Sequence, residues 1–237
     1  MEMKLTQRFW ACCLFFACIL STSCNCRAAA EENPEPSKTT SEAKTILQEI
    51  ITTQSSITDV DARLNYKVIY TKDTDREPGV WQAILKVKLP NKYYLALKKT
   101  DEVTKYICNG AVEWTIEILE DFKDASKKDL TNGRGDFSFF TDYVPLNKEK
   151  LEKKFSISAE ILEVAEESKS PAYSLVTLNP LTADQKDHLK WVKLYFNNEH
   201  KIHSLQWLDA NGNLYDIEVK KTTYNSNIND DTFEYTE

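Results

Sequence analysis

The strongest constraint on the fold is an alternation of apolar and polar residues with a period of two. It is clearest in WQAILKVKL (81–89), where Ala83, Leu85 and Val87 share one face and lysines occupy the other. Such alternation is typical of β-strands that bury one face. Similar runs cover 155–164, 172–178, 191–196, 202–208 and 214–223. The chain is therefore predicted to be mainly β-sheet.

Two Asn-Gly dipeptides mark hairpin turns between alternating runs. Asn109-Gly110 precedes the run that starts at Val112, and DANGN (209–213) joins the last two runs. Asn-Gly between such runs is a strong hairpin signal. DANGN also resembles the start of a calcium loop, but Leu214 and Lys220 stand where such a loop needs Gly and Glu. A hairpin turn is the better interpretation.

One amphipathic helix precedes the strands. Its apolar residues recur at helical spacing: Ala43, Ile46, Leu47, Ile50 and Ile51. Thr39 and Glu42 suit a capping box. The alternation stops between 120 and 154, where aromatic residues and a short helical stretch are found. The predicted fold class is mainly β (α+β): a strongly curved, nearly closed antiparallel sheet with helices against its concave side.

The first 30 residues have the features of a secretory signal peptide. Lys4 and Arg8 precede a short apolar stretch (10–20), and small residues follow up to Ala30. We expect a leader at 31–40 and one domain at 41–237. Five of the 6 cysteines would leave with the signal, so only Cys108 would remain. The alternative is acylation of Cys24, although the expected branched residue is displaced by one position.

Few kinds of chemistry are indicated. The formal charge of -7, without a cluster of basic residues, argues against nucleic-acid binding. His188, His200 and His203 lack metal-ligand spacing, and nucleophile-elbow, phosphate-loop and zinc-protease motifs are absent from the sequence. We therefore predict no catalytic residue, no metal and no cofactor, and we expect the protein not to be an enzyme.

Two apolar sets need burial at once: the inner face of the sheet and the aromatic cluster at 137–144. The simpler account is that the two sets bury each other. The alternative is a lined cavity closed by a movable lid, with Gly133 and Gly135 as hinge candidates.

Three segments resemble the LolA type of periplasmic outer-membrane lipoprotein carrier. LKVKLPNKYYLAL (85–97) is similar to the family's strand–Pro–Asn–aromatic–strand segment. CNGAVEWTI (108–116) is similar to its D-G-x-x-x-W hairpin, with Asn109 in place of Asp and with Gly110 and Trp114 retained. NEHKIHSLQWLDANGNLYDIEVKK (198–221) is similar to its late hairpin. The resemblance extends in order and spacing over most of 43–237.

The resemblance implies an unclosed β-barrel with helices as a lid over an apolar cavity for acyl chains. The implied cavity set is Leu85, Val87, Leu89, Tyr93, Leu95, Leu97, Val112, Trp114 and Ile116. The implied lid, within 137–151, includes Phe137, Phe139, Phe140, Tyr143, Val144 and Leu151. Leu89 stands where the best-known carriers have an Arg that holds the lid.

The function implied is that of a monomeric periplasmic carrier of lipoproteins or related lipids towards the outer membrane. An inner-membrane donor and an outer-membrane acceptor would be its partners. Two alternatives stay open: a membrane-anchored acceptor or envelope sensor tethered through Cys24, and an enzyme that acts on lipids or glycans.

Overall fold

The computed structural model describes residues 41–73, 75–120, 122–130, 135, 137, 140, 141, 146, 148–162 and 173–236. The helices are α1 (Ser41–Ser55), α2 (Lys148–Glu152), α3 (Ala183–Lys186) and a 3-10 helix (Asp230–Phe233). The strands are β1 (Asp59–Tyr70), β2 (Gly79–Lys88), β3 (Lys92–Lys99), β4 (Glu102–Cys108), β5 (Val112–Leu119), β6 (Phe122–Asp129), β7 (Phe155–Leu162), β8 (Tyr173–Pro180), β9 (Leu189–Phe196), β10 (Ile202–Asp209) and β11 (Asn213–Tyr224). None of the helices in these ranges is long and apolar enough to cross a bilayer.

All 11 strands belong to one antiparallel sheet in the order β6-β5-β4-β3-β2-β1-β11-β10-β9-β8-β7. Strands β1–β6 form one meander and β7–β11 another. The two meanders join where β1 pairs with β11, from Val60 opposite Tyr224 to Tyr70 opposite Asn213. In the described part of the chain no pairing links β6 to β7, so the sheet is open. The prediction of a mainly antiparallel, unclosed sheet is confirmed.

The main core lies on one face of the sheet, here called the inner face. Strands β1–β3 and β7–β11 contribute most of it through alternate residues, as in β1, where Val60, Ala62 and Leu64 are all buried. Helix α1 packs against β7 and adds Ala43 and Ile50 to the core. Because one face of these strands is buried, the period-two pattern of the sequence identifies these positions.

Helix α1 carries its apolar residues as predicted. Ile51 is buried as well, and Ile46 and Leu47 are partly buried against the core. Gln54 in the last turn is fully buried, and its side-chain amide donates to the carbonyl of His200 at 2.8 Å. The capping residue Thr39 lies outside the described residues.

A second apolar cluster lies on the opposite, outer face of the sheet. Ala96, Ile107, Ile116, Ile228 and Phe233 are buried, yet they are separate from the main core. Two of them come from the C-terminal segment (225–236), whose 3-10 helix packs against β3. The sheet is therefore apolar on both faces around β3–β5.

Polar contacts hold the C-terminal segment in place. The buried carboxylate of Asp59 accepts hydrogen bonds from the backbone N–H of Ser226 at 2.8 Å and of Asn227 at 3.1 Å, and from the Ser226 hydroxyl at 2.9 Å. Lys92 forms an ion pair with Asp230 at 3.1 Å. The end of the chain is thus attached to the start of β1.

Both predicted hairpin turns are present. Asn109 accepts from the backbone N–H groups of Ala111 and Val112, each at 2.9 Å, and Gly110 has a φ of 92°. In the second turn, Gly212 has a φ of 86° and its N–H donates to the carbonyl of Asp209 at 3.1 Å. The left-handed conformation explains the glycine at each position.

Candidate functional site

A small apolar cavity lies on the inner face at the junction of the two meanders. Its volume is about 30 Å³. Its lining comes from β1, β2, β10, β11 and one residue between β6 and α2: Val60, Ala62, Leu64, Leu85, Phe140, Ile202, Leu205, Ile217, Val219, Thr222 and Tyr224. Thr222 is the one residue of this lining that is neither aliphatic nor aromatic. The cavity is therefore suited to hydrocarbon, and such cavities stay dry when empty.

The pairing of the strands places these side chains together. Ala62 lies opposite Leu85 in the β1–β2 pair, and Leu205 lies opposite Ile217 in the β10–β11 pair. Residues directly opposite each other project from the same face. The lining is therefore an uninterrupted part of the inner face.

Phe140 covers the cavity from the side opposite the sheet. It is 1% exposed, and its N–H donates to the carbonyl of Phe137 at 3.1 Å. The Phe137 ring lies 4.4 Å from the ring of Tyr106 and 6.4 Å from that of Phe140, measured between centroids. Phe137 and Phe140, here called the plug residues, fill space that the sheet alone would leave open.

A buried polar pair holds the plug residues to the sheet. Tyr93 on β3 is fully buried, and its hydroxyl donates to the carboxylate of Glu113 on β5, which is 1% exposed. The same hydroxyl accepts the backbone N–H of Phe137 at 3.2 Å. Gly135 is also buried here, and a Cβ at that position would overlap both the Tyr93 hydroxyl and the Glu113 carboxylate. Glycine is required by this close approach.

Four aromatic rings continue the inner face beyond the cavity. Tyr66 lies two residues from Leu64 on β1, with centroid distances of 5.8 Å to Trp81, 6.4 Å to Trp207 and 6.3 Å to Tyr215. Burial, followed by the neighbouring tyrosines, raises the pKa of the Tyr66 phenol well above its ordinary value. The Tyr66 phenol is therefore uncharged at physiological pH.

Most of the predicted cavity set lies on the inner face, although little of it lines the cavity. Leu85, Val87, Tyr93, Leu95 and Leu97 are buried in the main core. Leu89, in the turn after β2, is partly buried against that core. Of this set only Leu85 borders the cavity. The acyl-binding role of these residues stays a prediction.

The register requires a correction for Val112, Trp114 and Ile116. Tyr93 lies opposite Cys108, and Cys108 lies opposite Glu113, so Glu113 shares the inner face. The three apolar residues alternate with it and project from the outer face, where Trp114 lies opposite Ile107. They are apolar because the second cluster occupies the outer face there.

The predicted lid is only partly described. Phe140 and Leu151 are buried in the main core, and Phe137 is partly buried against it. Phe139, Tyr143 and Val144 lie outside the described residues, as do Gly133 and Cys24. A helical lid and a cavity large enough for an acyl chain remain predictions.

Sequence reasoning missed two parts of this site. The alternation of apolar and polar residues predicted β10 and β11 as strands. The sequence did not show that β11 pairs with β1 and so brings both strands to the cavity. Glu113 was missed because an acidic residue in an alternating run is usually solvent-facing. Across the described ranges, no group of His, Cys, Asp or Glu is arranged to hold a metal ion.

The fold and the site define a class of protein: an open antiparallel sheet with an apolar inner face. Residues 146–236 match the family described as "Outer membrane lipoprotein carrier protein LolA". The resemblance predicted from the sequence is thereby confirmed, and the C-terminal part of the chain is LolA-like.

Several solved structures are also similar. The Mycobacterium tuberculosis lipoprotein LppX has a TM-score of 0.44 at 12% identity, over 79% of this chain and 97% of that one. A LolA superfamily protein from Nitrosomonas europaea has a TM-score of 0.40 at 7% identity, over 81% and 97%. A DUF1329 family protein from Desulfovibrio piger has a TM-score of 0.37 at 9% identity, over 82% and 97%. A search among curated proteins finds no match to the sequence.

Proposed function

We propose that this protein binds the acyl chains of lipoproteins or related lipids on its inner face and carries them through the cell envelope towards the outer membrane. The observation that supports this best is the apolar cavity lining around Phe140. Four strands contribute to this lining, and Thr222 is its one residue that is neither aliphatic nor aromatic. The LolA-like C-terminal part supports the same function.

The plug residues suit a carrier that must also release its cargo. Transfer of an acyl chain from water contributes ~0.8 kcal/mol per buried CH₂, so a long chain gains on the order of 10 kcal/mol. A carrier that retained all of this binding free energy could not release its lipid. Burial of one phenylalanine contributes about 1.5–3 kcal/mol. Refilling of the site by Phe137 and Phe140 therefore offsets a substantial part of the cost of release.

The test is the identity of what co-purifies with the protein. Native mass spectrometry of protein isolated gently from envelope fractions should show adducts with the masses of acylated molecules. A fluorescent acyl probe should bind the delipidated protein and be displaced by those adducts. Protein that is consistently free of lipid and does not bind the probe would refute the proposal.

The cellular form follows from the N-terminus. We propose export to the periplasm with cleavage near Ala30, which predicts a mature protein that starts near Glu31. The alternative, an acceptor or sensor anchored in the envelope, predicts an acylated Cys24 as the first residue. The intact mass of the mature protein separates the two. We propose no catalytic activity, and turnover in a screen of lipid and glycan substrates would contradict this.

A further inference from the structure

We propose that Tyr93 and Glu113 form a polar subsite that selects acyl ligands carrying a hydrogen-bond donor, such as an amide N–H, over fatty-acid carboxylates. This inference rests on the proposed function, and it specifies the chemical class of the ligand. The Phe137 N–H occupies the subsite in this structure, and a ligand donor takes its place when the plug residues move away.

The location of the pair supports a role in ligand recognition. Tyr93 is 0% exposed and Glu113 1% exposed, and both belong to the inner face. Tyr93 lies opposite Val87, and Leu85 on the same face of β2 borders the apolar cavity. An acyl chain that replaced Phe140 at the cavity would thus lie near this pair. Buried polar groups within an apolar surface fix the orientation and the chemistry of a ligand.

The direction of the hydrogen bonds determines which ligand fits. The Tyr93 hydroxyl donates its only hydrogen to the carboxylate oxygen of Glu113. The oxygen of Tyr93 therefore faces the plug residues as an acceptor, and it accepts the Phe137 N–H at 3.2 Å. A ligand N–H or O–H can replace that donor. A carboxylate or an ester cannot, and would leave the buried oxygen without its partner.

Among the residues that the structure describes, Lys128 is the charged residue directly opposite Glu113, and it does not reverse the selection. Lys128 on β6 lies opposite Glu113 and is exposed, and it has polar interactions of its own. A lysine near the site would favour a carboxylate by charge alone. The Glu113 carboxylate would act in the opposite direction, so only a preference for the amide over the neutral ester reports the hydrogen-bond direction at Tyr93.

The experiment compares three ligands with one chain length: dodecanamide, dodecanoate and methyl dodecanoate. Each displaces 1-aminoanthracene from the full-length mature protein at about pH 8, where the free acid is ionised. The amide should bind about tenfold more tightly than the other two, the effect of one buried hydrogen bond. The methyl ester is neutral and has no donor, so it separates donor recognition from charge.

Two variants test the residues themselves. Tyr93→Phe removes the acceptor and should bring the three affinities to within about twofold of one another. Glu113→Gln can donate to Tyr93, which frees the tyrosine hydrogen for a ligand acceptor, so the preference for the amide should narrow. The matched controls are Tyr94→Phe on the outer face of the same strand and Glu117→Gln on the same face of β5. Both controls should keep the tenfold preference.

Equal affinities in the unsubstituted protein would overturn the inference, as would an unchanged preference in Tyr93→Phe. Thermal melts confirm that each variant is folded. If none of the three ligands displaces the fluorophore, acyl binding itself is refuted and the inference falls with it. If all three bind equally, the proposed carrier function stands and only the selection of donors is wrong.

Discussion

Replacement of Phe140 by alanine tests whether the apolar cavity is a binding site. Phe140 is 1% exposed and borders a cavity of about 30 Å³. Such cavities are too small for a typical small-molecule ligand, which needs roughly 300 Å³ or more. Truncation to alanine joins the volume of the lost ring to the existing space, among side chains that are almost entirely apolar. The variant should lose stability and gain ligand affinity.

The magnitudes follow from burial. A buried Phe→Ala change costs about 3–5 kcal/mol. For a domain of this size, that corresponds to a fall in Tm of roughly 6–20 °C. A ligand that fills the new space stabilises the folded state, by about 2.7 kcal/mol when its concentration is 100 times its Kd. Dodecanamide should therefore restore much of the Tm of Phe140→Ala, and should raise the Tm of the unsubstituted protein less.

The assay is differential scanning fluorimetry with and without dodecanamide, and the matched control is Phe233→Ala. Phe233 is 0% exposed, but it belongs to the outer cluster rather than to the main core. Its truncation should lower Tm by a similar amount, and the ligand should restore little of it. Equal restoration in both variants would show that the ligand fills any new cavity, and the assignment of the inner face as the binding site would be refuted.

Three further predictions concern stability, and thermal melts test each of them. Leu89→Asp should destabilise the fold by about 2–4 kcal/mol, because a carboxylate would be buried against the main core. Leu89→Arg should destabilise it less, since a long side chain can carry its charge to solvent. A Tm of Leu89→Asp equal to that of the unsubstituted protein would contradict the inward placement of Leu89. Asp59→Ala should cost about 2–4 kcal/mol, since it leaves N–H groups of the C-terminal segment without their acceptor. Asp61→Ala, which removes a surface ion pair, should cost under about 1 kcal/mol. Equal effects of the two substitutions would refute the role of Asp59 in holding the C-terminal segment. Because burial raises the pKa of Tyr66, its contribution to stability is complete below its ordinary pKa of 10.0 and is lost as pH rises above that value, by at most about 1.4 kcal/mol per pH unit. Tyr66→Phe should make the fall of Tm with alkaline pH shallower. An unchanged dependence of Tm on pH would contradict the raised pKa of Tyr66.

The sequence predicts positions well wherever only one face of a strand is buried. Leu85 and Val87 alternate with exposed or half-buried residues, so the period of two gives both the strand and the direction of their side chains. Helix α1 could be predicted equally well, because only one of its faces contacts the core. Neither prediction needed information about distant parts of the chain.

The prediction for β5 was wrong because both faces are buried there. Val112, Trp114 and Ile116 alternate with polar residues, which wrongly suggested the inner face. The C-terminal segment, more than a hundred residues later in the chain, packs against the outer face beside the neighbouring strand β3, and the local sequence pattern of β5 does not indicate this. The Asn109-Gly110 turn determines which residues of β4 and β5 lie on the same face, but it does not show which of the two faces is buried by other parts of the chain.

Strand β6 was missed for the opposite reason. All eight of its residues, FKDASKKD, are exposed, so no apolar face generates a period. Its lysines and aspartates at the edge of an open sheet discourage pairing with other chains. The Tyr93–Glu113 pair could not be predicted either, since it depends on the register of three strands.

The pairing of the first strand with the last also has a consequence for how the chain folds. Each meander is built from local hairpins, which form quickly, whereas the pairing of β1 with β11 brings together segments from both ends of the domain. Bringing distant segments together costs loop entropy and slows folding. A chain still emerging from the ribosome therefore lacks the strand that completes the sheet. The β1–β11 pairing can therefore form only after β11 has been synthesised, so until then the two meanders cannot join into one sheet.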